Sequence, residues 1–167
     1  MRALARKNCV VVCIGNPLMG DDGIGIEVAR SLGKLSLGGN VLVLQRQTLD
    51  VSILYQAEGA SKLVVVDAVK SGKPPGSVVK FSPGPGSPLL HVPLSHEQGL
   101  QDVVALAERG GLRLPPIVVI GVEPENCAIG EGLSERVAES LPSVLEEVRA
   151  ELKACAGARQ GPSGCRA

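Results

Sequence analysis

Residues 8–14 (NCVVVCI) form an unbroken apolar, β-branched run that stops at Gly15-Asn16-Pro17, the pattern of a strand buried on both faces. From Asp22 the period changes. Ile24, Val28 and Leu32 recur every four residues with Glu27, Arg30 and Ser31 between them, which predicts an amphipathic helix opened by Asp21-Asp22 and ended by Gly33. A second strand is expected over 41–45, then Asp50 is placed to cap a short helix over 51–58. The run 61–67 (SKLVVVD) predicts a third buried strand closing on an acidic residue, and Pro74-Pro75-Gly76 turns the chain into another near 77–81.

Residues 82–95 carry so much Pro, Gly and Ser that they read as loop. A helix follows over about 98–109, with Leu100, Val103, Val104 and Ala107 on one face, and then a strand at 117–122 (IVVIGV). The last helix spans 134–154 and buries Val137, Leu141, Val144, Leu145, Val148 and Leu152; Pro142 predicts a kink or a restart within it. Strands alternating with helices predict an α/β fold: a three-layer α/β/α sandwich around a twisted, mostly parallel sheet of five or six strands. No repeat or linker divides it, so one domain over 1–154 is expected, followed by a low-complexity, disordered tail over 155–167.

Composition narrows the chemistry. Lys+Arg and Asp+Glu number 17 each, which removes any net electrostatic attraction to nucleic acid or an anionic membrane. Aromatic content is 1%, with Tyr55 and Phe81 the whole inventory, so stacking on single-stranded bases has almost no side chains to use. No apolar run approaches the roughly 18 residues that span a bilayer. The basic start MRALARK resembles a signal peptide, but its apolar stretch is short and runs into the glycine-rich turn, so a cytoplasmic, monomeric protein is expected. The cysteines are Cys9, Cys13, Cys127, Cys155 and Cys165; an odd count without C-x-x-C fits reduced thiols.

The segment GNPLMGDDGIG (15–25) is a glycine-rich strand-to-helix turn. It lacks the third glycine of G-x-G-x-x-G and the Lys-Ser/Thr ending of a P-loop. Two carboxylates also stand where a phosphate would bind, so the turn suits a cation. One of the pair is expected to be an ordinary cap, with Asp22 the stronger functional candidate; Asn16 holds the loop or is a plain turn residue. Asp67 ends a buried strand, where an ionised carboxylate is costly unless solvated, paired or metal-bound; a cap or turn role is its alternative. His91 and His96 are the only histidines, and His96 lies where the Pro/Gly-rich loop meets a helix; His91 reads as a surface residue. Two carboxylates and an imidazole would make an open three-ligand site for nickel, zinc or manganese. Spacing alone does not establish it.

These segments resemble those of the hydrogenase maturation endopeptidases. GNPLMGDDGIGIEV is similar to the family's opening signature, VVVDAV (64–69) to its second acidic motif, SHEQGLQDVV (95–104) to its histidine motif, and IGVEPE (120–125) to its late strand-and-loop motif. They occur in family order and cover about residues 8–154. The resemblance implies a metal site, also the catalytic site, made by Asp22, Asp67 and His96. Some relatives carry Glu where this chain has Asp22, and RQTLD around Thr48 departs from the family's glycine-rich form. It further implies an endopeptidase that removes the C-terminal extension of the nickel-loaded large-subunit precursor of a nickel–iron hydrogenase. The nickel would be presented by that precursor, its partner, rather than held permanently. Three other functions follow from the same residues: a nickel-binding chaperone that does not cut, a cysteine peptidase pairing Cys13 or Cys127 with His96, and a nucleotide-binding domain.

Overall fold

The structure, a computed structural model, describes residues 8–38, 40–83 and 100–157. The strands are β1 (Cys9–Ile14), β2 (Val41–Arg46), β3 (Lys62–Ala68), β4 (Val78–Phe81) and β5 (Ile117–Val122). The helices are α1 (Ile24–Leu32), α2 (Val51–Ala57), α3 (Leu100–Arg109) and α4 (Glu135–Gly157). Among the described residues the strands form one sheet in the order β2-β1-β3-β5-β4. Every pairing is parallel except that of β4 with β5.

Parallel strands need helical crossovers, and these cover both sheet faces, which is why β1 and β3 are apolar at successive positions rather than alternating. On one face Val10, Val12, Ile14, Leu63, Val65 and Val119 pack with Ile53 and Leu54 of α2 and with Leu100, Val103 and Ala107 of α3. On the other, Val11, Cys13, Val64, Val66 and Ile120 pack with Ile24, Val28 and Leu32 of α1 and with Val137, Val144 and Val148 of α4. Each fully buried Val, Leu or Ile among them contributes about 1.5–3 kcal/mol. The three-layer α/β/α sandwich with a mostly parallel five-stranded sheet is therefore the architecture observed.

Local signals hold in places. The Asp50 carboxylate accepts from the backbone N–H of Ser52 (2.7 Å) and of Ile53 (3.3 Å), capping α2 as its position predicts. Gly33 ends α1, its N–H donating to the Ala29 carbonyl.

At Pro142 one of the two alternatives falls away, and the expected end of α4 is corrected. The helix does not restart at Pro142: a single helix runs from Glu135 to Gly157. Pro142 and Ala138, whose carbonyl loses the N–H that Pro lacks, are both exposed, so water takes that acceptor. Nor does the fold stop at residue 154. Cys155 is 4% exposed and lies in the same buried cluster as Cys9, so the last turn belongs to the core. The rest of the expected tail, residues 158–167, lies outside the described residues. Among the described residues no helix is long and apolar enough to cross a membrane.

Candidate active site

In β1, β3 and β5 the register aligns Cys13 with Val66 and Asp67 with Gly121, so the carboxyl ends of the three central strands lie level. Beyond this edge an α/β sheet binds its ligands. Asp67 sits one residue before the end of β3 and is fully buried. Its Oδ1 accepts the backbone N–H of Ala68 at 2.8 Å. By strand alternation it shares the face of Leu63 and Val65, the face that α3 covers.

After β1 the chain folds back sharply. A Cβ on Gly15 would overlap the carbonyl oxygen of Asp22. One on Gly25 would overlap the carbonyl oxygen of Ile14 and lie 2.8 Å from that residue's backbone carbon and nitrogen. The glycines of this segment therefore seat α1 on the end of β1; the close approach is of backbone to backbone, not of backbone to phosphate.

The acidic pair does not open α1 by capping, which corrects the sequence expectation. Asp21 and Asp22 lie in a 3₁₀ turn, Gly20–Gly23, that runs into α1, and neither the turn nor the helix has a side-chain cap. Tertiary partners take their carboxylates instead. Asp22, 5% exposed, accepts the backbone N–H of Asn16 on Oδ2 at 2.8 Å. The Asn16 side chain in turn accepts from the Leu18 N–H at 3.0 Å, so it does hold the loop. The 3₁₀ turn packs against β3 as well as α1, which makes the segments carrying Asp22 and Asp67 neighbours.

Asp21 is held instead by the segment that follows β5. It is 1% exposed, and its carboxylate takes the backbone N–H groups of Glu125, Asn126 and Ser134 together with the Ser134 hydroxyl. Glu123, just past β5, is also buried; its Oε2 accepts the N–H (2.6 Å) and the hydroxyl (2.7 Å) of Ser71, pinning the turn that follows β3.

His91 and His96 lie outside the described residues. Among the described residues no three His, Cys, Asp or Glu side chains group to hold an ion. The donors that are described do suit a divalent cation: two buried carboxylates, on adjoining segments, at the edge where ligands bind.

The thiols do not fit the cysteine-peptidase alternative. Burial pushes Cys13 up to about 12 and raises Cys9 further, so both are protonated at neutral pH. Cys127 is nearer the chemistry, close enough to the acidic turn to feel the charges of Asp22 and Asp21. Burial, then the negative charge of Asp22, raise its thiol as well, against a smaller lowering from Lys70. A protonated thiol is a weak nucleophile. Cys127→Ser is expected to process substrate at the wild-type rate; loss of turnover in a folded Cys127→Ser protein would restore the thiol to the mechanism.

Comparisons with known proteins bear on the family and the fold. The sequence profile of the hydrogenase maturation protease family, HycI, matches residues 26–151. The hydrogenase expression/formation protein HoxM of Azotobacter vinelandii is 30% identical, the match covering 95% of this chain and 80% of that one. The hydrogenase 2 maturation protease of Escherichia coli K12 is 27% identical, over 86% of this chain and 90% of its own. The solved structure of the E. coli hydrogenase-maturating endopeptidase HybD superposes with a TM-score of 0.77 at 25% identity, covering 88% of this chain and 93% of that one.

Proposed function

The chain belongs to the hydrogenase maturation proteases, a family of endopeptidases, and from that premise we propose that it removes the C-terminal extension of the nickel-loaded large-subunit precursor of a nickel–iron hydrogenase. The observation that supports this reading most is the burial of Asp22 and Asp67 on adjoining segments at the carboxyl edge of the sheet. Removing two carboxylates from water is costly, and a core of Val, Leu and Ile gains nothing from them. A site that meets a cation explains their place.

On this proposal Asp22, Asp67 and His96 meet nickel that arrives as cargo of the precursor, so that only a loaded precursor is held with its scissile bond at the rim. A cation there lowers the pKa of an adjacent water and polarises a carbonyl. A carboxylate of the pair accepts the proton of the attacking water as its oxygen bonds to the carbonyl carbon. The carbon–nitrogen bond then breaks and the proton passes to the leaving amine. The chain contributes no serine or cysteine nucleophile. The enzyme works as a cytoplasmic monomer.

Purified precursor, with and without nickel, is mixed with this protein and the large subunit is weighed by mass spectrometry. The loaded precursor is expected to shorten and the nickel-free one to keep its mass. Shortening of the nickel-free precursor contradicts metal recognition. A loaded precursor that binds and is never cut makes the protein a chaperone instead.

A further inference from the structure

Asp21 stands beside a functional candidate and is spent elsewhere. Its Oδ2 accepts the N–H of Glu125 (2.8 Å), the N–H of Asn126 (2.9 Å) and the hydroxyl of Ser134 (3.0 Å), and its Oδ1 accepts the N–H of Ser134 (2.6 Å). These donors belong to the segment between β5 and α4, more than a hundred residues along the chain. Backbone bonds run alongside: Asp21 N–H to the Asn126 carbonyl (2.9 Å), Gly20 N–H to the Gly130 carbonyl (2.9 Å) and Gly130 N–H to the Leu18 carbonyl (3.0 Å). Gly20, at φ 53°, lets the two segments approach, because a Cβ there would lie 2.6 Å from the Asn126 oxygen.

A cavity of about 220 Å³ opens between the joined segments. Leu18, Gly20 and Gly23 line one side, Glu131, Gly132 and Leu133 the other. The turn carrying Asp22 is thus one wall, and the segment after β5 is the wall opposite. A buried carboxylate with four donors is a stiff tie, since hydrogen bonds to a charged acceptor are short and about twice as strong as neutral ones.

We propose that Asp21 is a positioning residue for peptide hydrolysis, fixing the Asp22 turn against the segment between β5 and α4 so that the Asp22 carboxylate keeps its place at the rim. The inference rests on the assignment of Asp22 to the reaction. Asp21 touches no substrate in this role, and its effect passes through the turn it holds.

Asp21→Asn tests it. The amide keeps the size of the side chain and one acceptor oxygen, but its NH₂ group must face an N–H donor. Turnover of the loaded precursor per folded molecule is expected to fall about 10–100-fold, the usual cost of disturbing a group that orients a reacting side chain. KM is expected to stay near that of the wild type. Ser134→Ala, which removes one of the four donors and leaves the backbone intact, should lower kcat in the same direction and to a smaller extent. Lys62→Ala is the control: it removes the ion pair with Glu151 at the amino end of β3, the edge opposite the rim, and leaves kcat unchanged. Unchanged kcat per folded molecule in Asp21→Asn, or in Ser134→Ala where Asp21→Asn does not fold, overturns the proposal, as does an effect confined to KM. Asp22→Asn is assayed beside them. Normal cleavage by that variant would discredit the reading of the rim itself, independently of Asp21.

Discussion

Asp67→Asn is expected to give a folded protein that no longer shortens the loaded precursor. The substitution is isosteric, and the amide oxygen still accepts the Ala68 N–H that now binds Oδ1 at 2.8 Å. The β3 backbone therefore has no reason to move. What is lost is the negative charge at a fully buried position on the ligand-binding edge. On the proposed mechanism that charge both meets the cation and serves proton transfer. Losing a positioned acid–base group alone costs on the order of 10²–10⁴-fold. Removal of a cation ligand adds to this, so turnover should drop below detection in the mass assay. Circular dichroism and the denaturant midpoint, measured on the same sample, report the fold. A folded Asp67→Asn protein that cuts at the wild-type rate would take Asp67 out of the site and leave its burial unexplained.

The second large effect is on stability. Gly25→Ala should fold poorly, although Gly is a weak helix former and alanine in a helix is ordinarily better by about 1 kcal/mol. Packing decides the sign. The added Cβ would overlap the Ile14 carbonyl oxygen and sit 2.8 Å from the Ile14 carbon and nitrogen. Those are backbone atoms of β1, an interior strand of the sheet, so no side chain can swing aside. The first turn of α1 must lift off β1, taking the buried Ile24 and Val28 with it. Overpacking that side chains absorb costs about 1–3 kcal/mol; against rigid backbone the cost should reach or pass the upper end. A denaturation curve on soluble protein measures it. A Gly25→Ala variant as stable as the wild type would show that α1 is not seated on the end of β1 in solution.

Much of the architecture was legible because it is written locally. Continuous β-branched runs announced β1, β3 and β5, and the expected limits of β5, 117–122, coincide with those observed. Asp50 was readable as a cap because it acts on the two N–H groups next to it in sequence. Asp21 was not readable in the same way. An acidic residue at the start of a helical pattern looks like a cap, yet its partners are 104 to 113 residues away, and no local pattern encodes them. The end of α4 lies three residues beyond its expected limit for a related reason. The composition after Cys155 is that of a tail, while Cys155 itself is buried in a cluster that includes Cys9, at the other end of the chain. The glycines at 15 and 25 were seen to matter, but their physical purpose, backbone contact between α1 and β1, needed coordinates. The role expected of His96 rests on the resemblance, since it lies outside the described residues.

The meeting of Cys9 with Cys155 also has a bearing on how the protein is handled. It places the first strand residue and the final helical turn side by side at the amino edge of the sheet. The carboxyl edge lies the length of a six-residue strand away, about 20 Å. A tether or surface anchor attached at either end of the folded core therefore starts on the far side from Asp22 and Asp67. Immobilising the enzyme there leaves its working edge facing the solution, which suits capture experiments with a bulky precursor.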